Sequence, residues 1–95
     1  MPLEKNIEEA CRQHARRQGW LLYKWSSPSQ RGVPDRILFN GSVHFIEFKT
    51  PRGRVSPLQR ATHERLTKLG ASVHVVTSLE QFKELFGCDN LSSNK

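Results

Sequence analysis

The chain has no apolar run long enough to cross a membrane, and it has little apolar content altogether. Hydrophobic residues make up 36% of its 95 positions, whereas a spanning helix needs about 20 consecutive apolar residues. The first residues also contain no apolar stretch of the signal-peptide kind. We therefore expect a cytoplasmic protein with a single domain, over residues 1–88, and a modest core.

Cysteine is nearly absent, and neither cysteine nor histidine has the spacing of metal ligands. Cys11 and Cys88 lie far apart in the chain, so neither a disulfide framework nor a zinc site is predicted, and free thiols fit a reducing compartment. We interpret the histidines as ordinary core or surface residues; they are His14, His44, His63 and His74.

Acidic residues are the third group in short supply. The chain has 9 of them against 15 Lys and Arg, which gives a formal net charge of +6 and a sequence pI near 9.9. A basic balance of this kind favours a polyanionic partner such as nucleic acid.

Apolar periodicity and end signals predict seven elements in the order αβββαβα. Gly19 closes the first helix, Asn40-Gly41 indicates a hairpin, and Ser56-Pro57 starts the second helix. The order predicts an α/β fold, a restriction-endonuclease-like mixed sheet of about four strands flanked by helices. The predicted elements are helix 4–18, a buried strand 20–25, strands 35–39 and 43–49, a helix from 56 closed by Gly70, strand 72–77, and a helix capped by Ser78 that ends near 86, followed by a flexible polar tail, 89–95.

Two short motifs carry the chemistry. Asp35 follows Gly32-Val33-Pro34 at the start of predicted strand 35–39. Glu47 and Lys49 lie two residues apart at the end of the following strand, 43–49, so their side chains share a face. Two carboxylates can hold a hard divalent cation such as Mg²⁺ or Mn²⁺. A neighbouring lysine can position a water or stabilise charge on a phosphate. Together these residues are the minimum for metal-assisted phosphodiester hydrolysis.

The hairpin register decides whether the two carboxylates meet. A two-residue Asn40-Gly41 turn places Asp35 opposite Ile46, on the face away from Glu47. A three-residue loop, 40–42, places Asp35 opposite Glu47, because a slip of one residue exchanges the two faces. The Asn-Gly signal favours the first register and the chemistry requires the second, which we adopt.

The motifs, in this order, resemble those of the VRR-Nuc domains, including stand-alone phage-type ones, in the PD-(D/E)xK nuclease superfamily. The matching segments cover roughly residues 4–86 and are Glu8, Gly32 to Arg36, Glu47 to Lys49, Gly53-Arg54, and Ser56 to Gln59. The resemblance implies a metal-dependent DNA endonuclease in which Asp35, Glu47 and the backbone carbonyl of Phe48 bind the metal and Lys49 serves the chemistry.

Two further site residues have alternatives. The resemblance implies that Glu8 assists at the metal, but Glu4 lies one turn earlier on the same helix face. Gln59 lies beside the active site in the family, yet Ser56-x-x-Gln59 is also a capping box. We expected these two roles to compete for one side chain. Ser78-x-x-Gln81 reads as a second capping box.

Basic residues surround the motifs and are candidates for contacts with DNA phosphates. They are Lys24, Arg31, Arg52, Arg54 and Arg60.

The resemblance also implies that the substrate is branched DNA, such as a Holliday junction. It further implies that the protein is a homodimer and acts in a bacterial or phage-infected host cell. We expected apolar surface on Phe82 and Phe86 to support the dimer. The alternatives are a non-catalytic DNA-binding module, and a non-specific or restriction-type nuclease.

Overall fold

The structure is a computed structural model that describes residues 3–87, so the tail predicted over 89–95 lies outside the described residues. The elements are α1 (Glu4–Gln18), β1 (Leu21–Lys24), β2 (Arg36–Phe39), β3 (Val43–Phe48), α2 (Pro57–Lys68), β4 (Val73–Val76) and α3 (Leu79–Phe86). The four strands form one mixed sheet in the order β1-β2-β3-β4, antiparallel except for the parallel pair β3 and β4.

The predicted element order is confirmed, and the helices begin and end at the expected signals. Gly19 adopts a left-handed conformation (φ 78°) and caps α1 by donating its N–H to Ala15 and Arg16. Ser56 caps α2, with Pro57 at the first helical position. α2 then serves as the crossover that two parallel strands require.

The hairpin between β2 and β3 has the three-residue loop. Phe39 pairs with Val43 and Arg36 with Ile46, which places Asp35, just before β2, opposite Glu47. Inside the loop the Asn40 side-chain oxygen accepts a hydrogen bond from the Ser42 N–H at 3.2 Å, and Gly41 has a φ of 102°. The register that brings the carboxylates to one face is therefore confirmed.

The hydrophobic core lies between the sheet and the helices α1 and α3. Leu38, Ile46, Phe48 and Val76 project from one face of the sheet and are fully buried against those helices. The opposite face carries Glu47 and is covered by α2, which contacts β4. The two faces of β3 therefore have different roles: one is core, and the other holds the candidate site.

Three local expectations were wrong. β1 is an edge strand with Leu21 and Tyr23 about half exposed, because α2 covers the β4 side of that face and leaves the β1 side open. Phe82 and Phe86 are buried in the core, so they offer no surface for a dimer.

The third wrong expectation is the capping box predicted at the start of α3. The Gln81 side chain accepts the N–H of Thr77, at 2.7 Å, instead of closing a capping box on Ser78.

Within residues 3–87, no helix is long and apolar enough to cross a membrane.

Candidate active site

Asp35 is held by a loop that is clamped to α2. The Thr62 hydroxyl donates to the Arg31 carbonyl at 3.1 Å, and Pro34 is fully buried. Gly32 has a φ of 86°, and a Cβ there would lie 2.7 Å from the Thr62 hydroxyl oxygen and 2.9 Å from the Leu58 carbonyl oxygen. Only glycine fits both demands, so the sequence of this loop fixes the approach of Asp35 to the sheet.

Glu47 lies on the central strand β3 with its side chain only 2% exposed. Its Oε2 accepts a hydrogen bond from Gln59 Nε2 at 3.1 Å and lies 3.6 Å from Lys49 Nζ. Its Oε1 is buried and has no hydrogen-bond partner among residues 3–87. A buried carboxylate oxygen without a donor is costly, which makes it a candidate ligand atom.

Asp35 and Glu47 lie opposite each other on the same face of the sheet. The Asp35 Oδ2 accepts a hydrogen bond from the Phe48 N–H at 3.3 Å, next to Glu47 in the chain. Burial, followed by the negative charge of Asp35, raises the pKa of Glu47 from 4.5 to about 7, although Lys49 opposes the rise. Two carboxylates forced together in this way are the arrangement that a divalent cation stabilises.

The donor set fits a hard divalent cation. Oxygens of Asp35 and Glu47 share one face, and Glu47 Oε1 lacks a partner among the described residues. Within residues 3–87 no group of three or more His, Cys, Asp or Glu side chains could hold a metal. A cation here would therefore take its other ligands from backbone oxygen, water or substrate phosphate, as Mg²⁺ commonly does.

Glu8 lies elsewhere. It forms an ion pair with Arg36, whose side chain leaves the opposite face of the strand from Asp35 because neighbouring strand residues alternate. The structure therefore does not bring Glu8 into a three-carboxylate set with Asp35 and Glu47.

The Gln59 side chain makes both the capping contact and a contact with Glu47, so the two contacts do not compete. Its side-chain oxygen accepts the Ser56 N–H at 3.0 Å and closes the capping box. Its side-chain nitrogen simultaneously donates to Glu47. An amide has one acceptor end and one donor end, so the start of α2 and the candidate site are joined by a single side chain.

His63 is a site neighbour that the sequence analysis missed. It is buried, its Nε2 has no hydrogen-bond partner among the described residues, and burial lowers its pKa while the nearby charges of Asp35 and Lys49 act in opposite directions. The available signal was its position four residues after Gln59, which places both on one face of a helix.

The five candidate DNA-contacting residues are all exposed, and within residues 3–87 none of them forms an ion pair. Their charges are therefore available to phosphates. They are Lys24, Arg31, Arg52, Arg54 and Arg60.

Comparisons with known proteins agree with this geometry. The model of the VRR-NUC domain family matches residues 3–80. "Putative nuclease p44" of Acyrthosiphon pisum secondary endosymbiont phage 1 is 42% identical over 77 residues, which cover 79% of this chain and 83% of that protein. A solved structure described as a VRR_NUC domain has a TM-score of 0.77 and 30% identity, covering 86% of this chain and 91% of its own.

The family match and the phage relative support a nuclease-type domain. The chain belongs to the VRR-NUC family. The predicted family and fold class are both confirmed.

Proposed function

We propose that the protein is a divalent-metal-dependent DNA endonuclease that hydrolyses phosphodiester bonds in branched DNA, such as Holliday junctions. The observation that carries the proposal is the position of Asp35 opposite Glu47 on one sheet face, beside Lys49. A structural ion pair alone would need only one carboxylate for the lysine. The second carboxylate raises the pKa of Glu47, and a bound divalent cation would stabilise the two negative charges together.

Asp35, Glu47 and the Phe48 carbonyl would hold Mg²⁺ or Mn²⁺, with Glu8 assisting through water. The bound ion would supply Lewis-acid stabilisation of phosphate charge and a more acidic water. Lys49 lies on the same side of the sheet and would orient the attacking water or stabilise negative charge on the phosphate. Gln59 would hold Glu47 in place through its hydrogen bond.

The proposed substrate and assembly are supported by the family membership and by the exposed positive charges. The exposed basic residues Arg52 and Arg54 directly follow the catalytic strand and would contact the DNA backbone. A branched junction has paired scissile strands, so two sites related by a two-fold axis suit it, and we propose a homodimer. The site of action would be the cytoplasm of a bacterium or phage-infected host cell.

The test is cleavage of branched, nicked and linear DNAs with Mg²⁺, Mn²⁺ or EDTA. We expect branched DNA to be cut with either metal and no DNA to be cut in EDTA. Asp35→Asn should lose metal binding and cleavage, whereas Lys49→Ala should lose cleavage by at least about 100-fold and keep metal binding and thermal stability.

Lys83→Ala is the matched control, because Lys83 is an exposed lysine on α3. It should cut at the wild-type rate. Cleavage by Lys49→Ala at the wild-type rate would contradict the role of Lys49. DNA binding without cleavage under every metal condition would identify a non-catalytic binding module instead.

A further inference from the structure

A groove between α2 and β4 opens beside the candidate site. Its volume is about 790 Å³, within the range of small-molecule sites. Its apolar walls include Val55, Ala61, Val73 and Val75. None of these residues belongs to the catalytic set, so the groove is a separate feature of the same sheet face.

Among the described residues, one buried side-chain atom at the groove lacks a hydrogen-bond partner. His63 lines it, is 8% exposed, and has an Nε2 without a hydrogen-bond partner among the described residues. A buried ring nitrogen without a partner is costly unless a ligand or water completes it. A flat heteroaromatic ring would complement this groove, because its faces can pack against the apolar walls and its polar edge can form a hydrogen bond with the His63 nitrogen.

The rim of the groove is cationic. It carries Arg60, Arg65 and Lys68 against one carboxylate, Glu64. No ion pair engages these four side chains within residues 3–87. Such a rim attracts an anion attached to the ring, as in a nucleotide.

The groove lies one strand away from the catalytic carboxylate. Val75 is the register partner of Glu47 across the parallel pair β3 and β4, and neighbouring strands lie about 4.8 Å apart. The charges of Asp35 and Lys49 also act on the pKa of His63, in opposite directions. A nucleotide seated in the groove would therefore lie close to a phosphate bound at the site.

We infer that the groove accepts one unpaired nucleobase of the DNA substrate, with its phosphates at the cationic rim. The inference rests on the proposed nuclease function and narrows its substrate to DNA with an unpaired or extruded nucleotide beside the scissile phosphate. A base inside an intact duplex cannot enter such a groove without leaving its stack. At branch points and distorted sites, the free energy needed to unstack and unpair a base is lowest.

The direct test uses deoxynucleoside monophosphates, 2-deoxyribose 5-phosphate and inorganic phosphate in EDTA, followed by NMR of isotope-labelled wild-type protein. We expect the nucleotides to shift the signals of His63, Val73 and Val75, and to bind at least tenfold more tightly than the two compounds without a base. Equal binding of the baseless compounds, or shifts confined to other residues, would overturn the inference. Groove signals that shift with protein concentration and not with nucleotide would assign the groove to a second copy, and would also overturn it.

Variants give an independent readout. Ala61→Phe fills the groove from an exposed helix position and should weaken nucleotide binding at least tenfold. His63→Phe keeps a ring of similar size and should weaken it about threefold to tenfold through the lost hydrogen bond. Glu84→Phe, an exposed position on α3, is the matched control and should leave binding unchanged. If Ala61→Phe binds nucleotide as the wild type does, the groove is not the site.

The two proposals can fail separately. Nucleotide binding in the groove without cleavage of any DNA would overturn the nuclease proposal and keep the groove as a base-binding site. Metal-dependent cleavage without groove binding would keep the nuclease and overturn this inference.

Discussion

Glu47 is the side chain for which the fold and the proposed chemistry favour different protonation states. It is almost fully buried on the central strand, with Gln59 and Lys49 at one oxygen and no partner for the other among residues 3–87. Burial and Asp35 both favour its protonated form. Without metal, the folded protein therefore holds a proton here more tightly than the unfolded chain does.

This difference predicts a pH dependence of stability in EDTA. Because the pKa of Glu47 rises from 4.5 to about 7 on folding, its protonated form contributes stability below about pH 4.5. That contribution is lost as the pH rises through about 7. We expect this site to lower the free energy of unfolding by about 1–3 kcal/mol across the interval, as measured by urea denaturation at several pH values.

Glu47→Gln is the control, because an amide does not titrate and can keep a hydrogen bond to Gln59. Its stability should lack this decrease between pH 4.5 and 7. Saturating Mg²⁺ should reverse the loss in the wild-type protein at pH 7 by binding the ionised pair. A wild-type stability that rises over the same interval would contradict the raised pKa.

At the scale of single residues, contacts within one strand could be predicted from the sequence, and contacts between different elements could not. Glu47 and Lys49 share a face because strands alternate strictly, so their proximity follows from the sequence alone. The pairing of Glu8 with Arg36 joins α1 to β2 over 28 positions, and nothing local favours it over a metal role. The dual role of Gln59 depends on where α2 settles over β3.

At the scale of elements, the β2–β3 hairpin shows why a local turn signal can be overruled. Asn-Gly favours a two-residue turn, yet the loop has three residues. The Asn40 side chain accepts the Ser42 N–H and donates to the Phe86 carbonyl at the end of α3. This anchor to a distant helix, together with the burial of Ile46 and Phe48, fixes the register.

The loop before Asp35 gives a prediction about backbone conformation. Gly32→Ala would strain a positive φ and force Cβ against the Leu58 carbonyl and the Thr62 hydroxyl of α2. We expect a loss of about 2–4 kcal/mol in the free energy of unfolding, and a lower cleavage rate at temperatures where the variant is still folded, because Asp35 shifts.

Gly41→Ala separates the two causes. Gly41 also has a positive φ, but a Cβ there meets nothing within 4 Å. It should cost about 1 kcal/mol of strain and leave the cleavage rate unchanged. Equal losses in the two variants would show that contact with α2 does not matter.

The basic loop between β3 and α2 gives a prediction about binding. Arg52 and Arg54 are exposed, so Arg52→Ala with Arg54→Ala should weaken DNA binding and reduce the slope of log K against log salt by up to about 2. Fluorescence anisotropy with Asp35→Asn protein in EDTA measures both. Thermal stability should stay within about 0.5 kcal/mol. An unchanged salt slope would place the DNA path elsewhere.

On the scale of the whole molecule, the sheet face beside the site is only partly covered. Leu21, Tyr23, Phe39 and Val43 are 49%, 54%, 37% and 48% exposed, and the register places three of them in one row across β1, β2 and β3. The sequence predicts apolar surface on α3 instead, because it does not show which side of the sheet α2 covers.

This patch gives the prediction for the homodimer. Sedimentation at micromolar concentration should show a dimer, and Tyr23→Lys with Phe39→Lys should convert it to a monomer and slow junction cleavage, because opposed apolar faces are lost. Leu69→Lys is the control, since Leu69 is 89% exposed outside the patch. A wild-type monomer that still resolves junctions would contradict the dimer.

The central position of β3 has a consequence for how the activity is lost. Strands β2 and β4 bond it on both sides, Lys49 donates its N–H to the Val76 carbonyl, and Phe48 lies in the core. Segments of this kind open only when the whole domain unfolds. The amides of Phe48 and Lys49 should therefore be among the slowest to exchange with deuterium. Heating should abolish cleavage at the same temperature at which the sheet itself melts, with no inactive folded state in between.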